Sequence, residues 1–291
     1  MATIEILGVR HAYELTAPTT SPHTLVFIHG WLLSRGYWQP LIERLAPNYQ
    51  CLAYDLRGFG QSEFSSASPE RNAALDPVAS RYTPVAYAQD LAVLLQQLNI
   101  TSAWLIGHSL GATIALWGAD HLPQCVKGVI CVNAGGGIYL KEAFEQFRSV
   151  GQMLLKLRFR WLCQLPLIDL PFTRASVAHP IARCWGRQRV IDFVQAAPEA
   201  ALGTLLDSTT EEEVNRLPQV VSQLKQPVYF LAGALDQIME PKYVRHLASF
   251  HPLFQACGDN VVEIPHCGHL AMVEQPDAVA HRIRTILARH Q

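Results

Sequence analysis

Charged residues are scarce in this sequence. Only 16% of its 291 residues are Asp, Glu, Lys or Arg, and the formal net charge is −1. Such a balance gives no global attraction to nucleic acid or to acidic membranes, so we expect no nucleic-acid partner. With 49% hydrophobic residues, the chain can bury a large core, either as one large domain or as one domain with an insertion.

Several signals of targeting and metal binding are also missing. The N-terminus has no basic stretch followed by an apolar one, so we expect no secretory signal. The longest weakly charged stretch, residues 103–119, is interrupted by glycines and a histidine, which makes it a poor membrane span. The seven cysteines are odd in number and lack the paired spacing of metal ligands. We therefore expect free thiols in a reducing, cytoplasmic compartment, with no cofactor and no metal.

The sequence does contain an alternation of strand and helix patterns. The continuous apolar run at residues 24–28 is typical of a strand that is covered on both faces. Similar runs recur along the chain with helical patterns between them. This alternation predicts an α/β fold with a mostly parallel sheet and helices on both faces. The eight predicted strands are residues 3–10, 12–15, 24–28, 50–54, 103–106, 126–132, 228–232 and 261–264.

The alternation lapses in two places. Residues 63–81 are rich in Ser, Ala, Pro and Asn, which predicts a long surface excursion without regular structure. Residues 138–224 carry helical spacing and several prolines between the sixth and seventh strands. We call residues 138–224 the cap segment and predict that it forms an inserted helical cap. Residues 1–137 and 225–291 would then form the core domain.

One short stretch predicts nucleophilic catalysis. In Gly107-His108-Ser109-Leu110-Gly111, a serine lies between two glycines where an apolar strand ends and a helical pattern begins. This spacing favours a sharp turn that leaves the serine oxygen projecting, because a side chain at either glycine would collide with neighbouring backbone. A helix that starts at Leu110 would aim free N–H groups at negative charge beside that oxygen. Ser109 is therefore the candidate nucleophile.

A nucleophilic serine needs a base, and the base needs an orienting acid. Asp236 follows the seventh predicted strand, and His269 follows the eighth. Because the carboxyl ends of parallel strands share one edge of a sheet, we expect both residues to lie near Ser109. The chain order is then Ser, Asp, His. The hypothesis is a triad of Ser109, His269 and Asp236.

Other assignments for the acid and the base remain open. His266 could replace His269 as the base. Asp259 is a second possible acid, although it precedes a strand and would lie at the opposite edge of the sheet. Asp236 could simply cap a helix, and His269 could be a buried structural histidine. The sixth strand ends in Asn133, so no carboxylate is available at that position.

The surroundings of Ser109 predict further roles. An oxyanion hole needs two converging N–H donors, and Leu110 and Trp31 are the candidates because both follow strand ends at the same edge. We expect the His29 ring to brace the loop by hydrogen bonds. His108 would support the site or line the substrate pocket. Two aromatic residues of the cap segment, Phe144 and Phe147, are further predicted pocket residues.

These motifs together resemble the signature of the α/β-hydrolase superfamily, and the resemblance covers almost the entire chain apart from the cap segment. It implies the predicted eight-stranded fold and a Ser–His–Asp hydrolytic site, without fixing the reaction. The motifs that carry it are His29-Gly30-Trp31, Asp55-Leu56-Arg57-Gly58-Phe59-Gly60-Gln61-Ser62, Gly107-His108-Ser109-Leu110-Gly111, Gly233-Ala234-Leu235-Asp236, and His269 followed by Glu274-Gln275-Pro276.

Individual residues exclude some of the reactions that this superfamily catalyses. Epoxide hydrolases and dehalogenases of this superfamily use an Asp nucleophile, which position 109 lacks. The loop after His29 is similar to that of cofactor-free perhydrolases, but Leu32 stands where that group has Pro. We expect a serine hydrolase of a small-molecule carboxylic ester or thioester. Its acyl or alkyl group would be apolar, because the cap segment is rich in Leu, Phe and Trp. A carbon–carbon bond hydrolase, a perhydrolase and a catalytically silent ligand receptor remain alternatives.

One stretch of the cap segment mixes cationic and aromatic side chains. It runs Lys156-Leu157-Arg158-Phe159-Arg160-Trp161-Leu162. Such a pattern is typical of a helix with a solvated basic face, and it is also compatible with a weak peripheral contact between the cap and a lipid surface. The sequence does not predict an oligomeric state.

Overall fold

The computed structural model of the protein describes residues 1–62, 81–134, 141–174, 176–258 and 260–290, without the side chains of residues 141–144 and 257. Most of the predicted excursion at residues 63–81 lies outside this range. Eight strands form one sheet. They are β1 (Ala2–Ile6), β2 (Val9–Leu15), β3 (Thr24–Ile28), β4 (Gln50–Tyr54), β5 (Ala103–His108), β6 (Val126–Val132), β7 (Val228–Gly233) and β8 (Val261–Ile264).

The sheet has the strand order β1-β2-β4-β3-β5-β6-β7-β8. β1 pairs with β2 and β2 pairs with β4 in the antiparallel direction, while all later pairs are parallel. The prediction of a mostly parallel eight-stranded sheet in an α/β fold is therefore confirmed. Because β3, β5, β6, β7 and β8 run in the same direction, the loops at their carboxyl ends gather at one edge.

Helices alternate with the strands and also fill the cap segment. The short helix Arg35–Trp38 and the cap turn Arg160–Gln164 are 3₁₀ in type. The α-helices are α1 (Gln39–Leu45), α2 (Pro84–Gln97), α3 (Leu110–His121), α4 (Lys141–Lys156), α5 (Asp169–Arg174), α6 (Arg183–Gln195), α7 (Pro198–Ser208), α8 (Glu211–Gln223), α9 (Pro241–Ala248), α10 (Pro252–Cys257), α11 (Ala271–Glu274) and α12 (Pro276–Ala288).

The apolar core lies in two layers, one on each face of the sheet. In β3, Val26 and Ile28 face a layer that includes α2 and α3, whereas Leu25 and Phe27 face a layer that includes α1 and α12. Alternate side chains of a strand point to opposite faces, so a strand covered on both sides must be apolar throughout. Each fully buried aliphatic or aromatic side chain contributes about 1.5–3 kcal/mol of transfer free energy.

Hydrogen bonds tie the cap segment to the core. The indole Nε1 of Trp31 donates to the carbonyl oxygen of Ala201 on α7 at 2.9 Å. On α3, the indole Nε1 of Trp117 donates to Oε1 of Glu213 on α8 at 2.6 Å. The backbone N–H of Ala197 donates to the carbonyl of Gly58 at 2.8 Å. These contacts place the start of α7 against the loops after β3 and β4, and α8 against α3.

Two properties of the described residues bear on the expectations from composition. The six cysteines whose side chains are described are all free thiols, and burial raises the pKa of Cys51 to about 12. Among the described helices, none combines the length and apolar character that crossing a lipid bilayer requires.

Candidate active site

The turn between β5 and α3 is a strained strand-to-helix elbow. Ser109 has φ 51° and ψ −120°, a backbone conformation that side-chain-bearing residues rarely adopt. A Cβ atom on Gly107 would lie 2.2 Å from the carbonyl oxygen of Gly111, and one on Gly111 would lie 2.2 Å from that of Ile28. Both positions therefore require glycine. The elbow holds Ser109 at the end of β5, with α3 starting at the next residue.

Asp236 and His269 form a buried hydrogen-bonded pair at the same sheet edge. The Nδ1–H of His269 donates to Oδ2 of Asp236 at 2.7 Å. His269 is 7% exposed and Asp236 is 3% exposed. Oδ1 of Asp236 accepts the backbone N–H groups of Ile238 at 2.8 Å and Met239 at 2.9 Å. The Asn133 amide donates to Oδ2 at 2.8 Å. Both oxygens of the carboxylate are thus held by two donors each.

These contacts determine the ionisation of Asp236. Burial is the largest single influence and would by itself raise the pKa of Asp236. The charge of His269 and the hydrogen bonds from His269, Met239 and Asn133 act in the opposite direction. Together they outweigh burial, so the net pKa of Asp236 is lowered. The carboxylate is therefore charged at neutral pH and can stabilise an imidazolium at His269.

His108 connects the elbow to the loop of His269. Its Nε2–H donates to the backbone carbonyl of His269 at 2.7 Å, and the two ring centroids are 4.7 Å apart. Burial, together with the charge of His269, lowers the pKa of His108 well below its ordinary value, so this ring is neutral. A Cβ atom on Gly30 would lie 2.8 Å from Nδ1 of His108. His108 therefore positions the backbone of His269, a role more specific than the predicted pocket lining.

The loop after β3 lies directly against the elbow. A Cβ atom on Gly30 would also lie 3.3 Å from Cβ of Ser109. The His29 ring braces this loop as expected, since its Nδ1–H donates to the carbonyl of Gly30 at 2.8 Å and its Nε2 accepts the N–H of Leu56 at 3.0 Å. Leu110 is the first residue of α3, and a first-turn N–H has no partner within its own helix.

The stretch after β4 supports the same loop through Asp55. Oδ1 of Asp55 accepts the backbone N–H of Arg35 at 2.6 Å, and Oδ2 accepts that of Gln61 at 2.8 Å. The guanidinium of Arg35 also pairs with this buried carboxylate. A Cβ atom on Gly60 would lie 2.4 Å from Cγ of Asp55, so glycine is required there. Asp55 thus fixes the start of the 3₁₀ helix that follows the loop of Trp31.

A cavity of about 1090 Å³ opens beside the Asp–His pair. Residues of the cap segment form one wall and the loop after β7 forms another. This volume exceeds that of a typical small-ligand pocket. The lining residues are Pro171, Arg174, Ser176, Val177, Ala178, Ala234, Leu235, Asp236, Gln237, Glu240, Pro241 and His269.

Of the predicted site residues, Asp236 and His269 line this cavity. Its lining does not include Ser109, Leu110, Trp31 or His108. Phe147 lies on α4 and is 37% exposed, and it is absent from the lining. The side chain of Phe144 and all of Asp259 lie outside the described residues. His266, the alternative base, is exposed, and its ring centroid is 6.1 Å from that of His179. The hydrogen bond to Asp236 is made by His269.

Asp192 of α6 links the cap segment to the loop after β3. The hydroxyl of Ser34 donates to Oδ2 of Asp192 at 3.0 Å, and the amide of Gln188 donates to Oδ1 at 2.8 Å. Burial raises the pKa of Asp192 to about 7. The sequence does not predict a role for Asp192, because no periodic pattern distinguishes its carboxyl from that of an exposed helical Asp.

We expect the Asp192→Asn protein to be more stable than the wild type above neutral pH. The folded pKa of about 7 exceeds the ordinary 3.8, so the folded state retains a proton that the unfolded chain releases. Wild-type stability contributed by this group is complete below the ordinary pKa and is lost as pH rises towards the folded pKa. Asparagine mimics the neutral carboxyl. One pKa unit is about 1.4 kcal/mol, so the difference should reach a few kcal/mol.

Thermal unfolding of both proteins at about pH 5 and about pH 8 checks this prediction. The advantage of Asp192→Asn should grow between the two pH values. Asp277→Asn is the control, because Asp277 is an exposed carboxylate paired with Arg44, and its lowered pKa predicts the opposite sign. A pH-independent difference between wild type and Asp192→Asn would show that Asp192 titrates normally.

The fold and this site geometry define the class of α/β hydrolases. The chain matches the model of the alpha/beta hydrolase fold over residues 23–276 and belongs to this family.

Relatives of the chain include enzymes with different names. The chain is 28% identical over 275 residues, 91% of this chain and 94% of the relative, to a pimeloyl-[acyl-carrier protein] methyl ester esterase of Xanthomonas axonopodis pv. citri. It is 25% identical over 272 residues, 90% of this chain and 92% of the relative, to a 2-succinyl-6-hydroxy-2,4-cyclohexadiene-1-carboxylate synthase of Serratia proteamaculans. A thermophilic esterase from Thermogutta terrifontis shares the fold, with 24% identity, 99% coverage of each chain and a TM-score of 0.76.

Proposed function

We propose that the protein is a serine hydrolase that cleaves a carboxylic ester or thioester with an apolar acyl or alkyl group. The observation that carries this proposal is the buried hydrogen bond of 2.7 Å between His269 and Asp236 at the sheet edge of the Ser109 elbow. Since Nδ1–H is committed to Asp236, the neutral ring carries its lone pair on Nε2. That nitrogen is then the general base for Ser109.

The proposed reaction proceeds through an acyl-enzyme. Nε2 of His269 takes the proton of Ser109 as Oγ attacks the carbonyl carbon, and Asp236 stabilises the resulting imidazolium. The oxyanion accepts hydrogen bonds from the N–H groups of Leu110 and Trp31, each worth about 3 kcal/mol in the transition state. The imidazolium protonates the leaving alcohol or thiol. Water, activated by the same base, then releases the acid and restores Ser109.

Two further observations support the ester assignment. One relative, which is 28% identical over most of the length of both chains, is named a methyl ester esterase. The cavity beside His269 is lined partly by apolar side chains, among them Val177, Leu235 and Pro241. Apolar lining with a few polar groups is typical of pockets for small organic ligands.

A series of p-nitrophenyl esters from acetate to decanoate, with matching acyl thioesters, tests this function. We expect a burst of p-nitrophenol equal to the enzyme concentration, followed by steady turnover. The value of kcat/KM should rise from acetyl to octanoyl, because each buried CH₂ group contributes about 0.8 kcal/mol. Acylation without turnover across the series would favour a ligand receptor, and no acylation at all would refute the proposed hydrolase.

A further inference from the structure

The cap segment exposes many apolar side chains. Among the described residues, fifteen large hydrophobic side chains are exposed, and ten of them lie within residues 147–170. Soluble proteins rarely concentrate exposed apolar side chains in one stretch without an interaction partner. We call these ten residues the cap surface. They are Phe147, Val150, Met153, Leu154, Leu157, Phe159, Trp161, Leu165, Leu167 and Leu170.

Helix α4 forms part of the cap surface because only a narrow side of the helix is covered by the rest of the protein. Gly151 is buried, and a Cβ atom there would lie 2.7 Å from a methyl group of Leu205 on α7. Small size at this position lets α4 approach α7 closely. Phe147, Val150 and Leu154 recur at spacings of three and four, so they form a stripe along the helix. All three are exposed.

The cap surface lies in a cationic part of the chain. Residues 147–170, which span this surface, contain four Lys and Arg residues and a single acidic residue, Asp169, whereas the whole chain has a net charge of −1. Asp169 is 3% exposed and is paired with Arg183 at 2.7 Å. Its charge is therefore neutralised within the protein. Exposed positive charge remains beside the apolar side chains at Lys156 and Arg160.

Arg158 does not belong to this exposed positive charge. Its Nε donates to the carbonyl of Phe193 at 2.5 Å, and its Nη2 donates to the carbonyls of Val194 and Ala196. Phe193 and Val194 lie in the last turn of α6, and Ala196 is the residue after the helix. The carbonyl groups at a helix end have no partners within the helix. Arg158 therefore holds α6 in place, and only Lys156 and Arg160 of the basic stretch face solvent.

The aromatic rings of the cap surface suit the interfacial region of a membrane. The rings of Phe159 and Trp161 stack with centroids 5.8 Å apart and planes at 14°, and both are about half exposed. Indole rings favour the headgroup level of bilayers because they are apolar with one polar N–H.

We propose that the cap surface docks peripherally onto an anionic lipid membrane. Apolar side chains would enter the headgroup boundary, while Lys156 and Arg160 would attract anionic headgroups. A second copy of the chain fits this surface poorly, because face-to-face contact would bring two cationic regions together. An anionic bilayer supplies both the apolar interior and the complementary charge. This docking does not depend on catalysis by Ser109.

Vesicle co-sedimentation tests the docking. Wild type should bind vesicles that contain about one third phosphatidylglycerol at least about tenfold more tightly than pure phosphatidylcholine vesicles, and added salt should reduce the difference. The Lys156→Glu/Arg160→Glu double variant should lose at least about tenfold in affinity for the anionic vesicles. Phe159→Ser/Trp161→Ser should weaken binding at high salt as well, because it removes inserted apolar area.

Lys127→Glu/Lys225→Glu is the matched control. It makes the same change in net charge at two exposed lysines beside the amino ends of β6 and β7, at the opposite sheet edge. It should retain at least about half of the wild-type binding. Equal loss in both double variants would overturn the proposal, as would equal binding to neutral and anionic vesicles. Sedimentation velocity without lipid tests the alternative that a second copy of the chain covers this surface. If wild type self-associates, Phe159→Ser/Trp161→Ser abolishes the self-association and no vesicle binding is seen, the surface belongs to a second copy and the proposal is wrong.

Discussion

The Ser109→Ala protein is expected to lose ester hydrolysis by about four to six orders of magnitude in kcat/KM. Alanine has no Oγ, so no acyl-enzyme can form and the burst of p-nitrophenol disappears. The remaining rate would come from substrate binding and the oxyanion donors alone. Alanine is slightly smaller than serine, and the turn at position 109 is formed by the backbone. The melting temperature should therefore change little. Stopped-flow release of p-nitrophenol measures both the burst and the turnover.

Ser222→Ala is a suitable control for that experiment. The hydroxyl of Ser222 donates to the carbonyl of Gln219 within the exposed end of α8, at 2.7 Å. Its loss removes a serine without touching the sheet edge, so kcat/KM should remain within about twofold of wild type. Full retention of the burst in Ser109→Ala would mean that another group is the nucleophile.

The Asp236→Asn protein is expected to lose about four orders of magnitude in kcat, by analogy with the same change in a serine protease triad. The cause is the donor arrangement around this carboxylate. Oδ1 accepts the N–H groups of Ile238 and Met239, and Oδ2 accepts His269 and Asn133. If the asparagine oxygen keeps the two backbone donors, its NH₂ group faces Nδ1 of His269. The ring must then accept at Nδ1 and carry its proton on Nε2.

In that tautomer, His269 cannot accept the proton of Ser109, so kcat falls while the pocket stays intact. KM should change by less than about threefold, because Asp236 is expected to act on the base and not on ground-state binding. Asp277→Asn is the control, since it makes the same chemical change at an exposed carboxylate that pairs with Arg44. A large rise in KM with an unchanged kcat would contradict the assigned role of Asp236.

The sheet can be predicted because its signals are local in the sequence. Runs such as residues 24–28 are apolar throughout, and a strand covered on both faces requires this pattern. The elbow is equally accessible, since Gly107 and Gly111 stand where a Cβ atom would lie 2.2 Å from backbone oxygens. The positions of Asp236 and His269 follow from the rule that carboxyl ends of parallel strands meet at one edge.

Contacts between distant segments give no such signal. In the sequence, Asn133 indicates only the absence of a carboxylate, yet its amide donates to Asp236 and to the carbonyl of Gly268. The bond from His108 to the backbone of His269 joins residues 161 positions apart. Neither the periodicity of β5 nor the composition of its loops specifies these partners, because side-chain hydrogen bonds depend on how the elements pack.

The cap segment limits prediction in another way. Helical spacing identifies α4, but spacing alone does not determine which side of a helix is covered. Phe147 illustrates this limit, since it lies on the exposed stripe of α4 and is absent from the lining of the cavity beside His269. The narrow contact of α4 through Gly151 depends on Leu205 of another helix, which the local sequence does not specify.

The most direct measurement of the central claim is the mass of the protein after reaction with a fluorophosphonate, followed by peptide mapping. We predict one phosphonyl adduct per chain, located on Ser109, and none in Ser109→Ala. Asp236→Asn should form the same adduct at a rate lower by at least about a hundredfold, because its base is in the wrong tautomer. An adduct on another serine, or an unlabelled protein that still hydrolyses esters, would contradict Ser109 as the nucleophile.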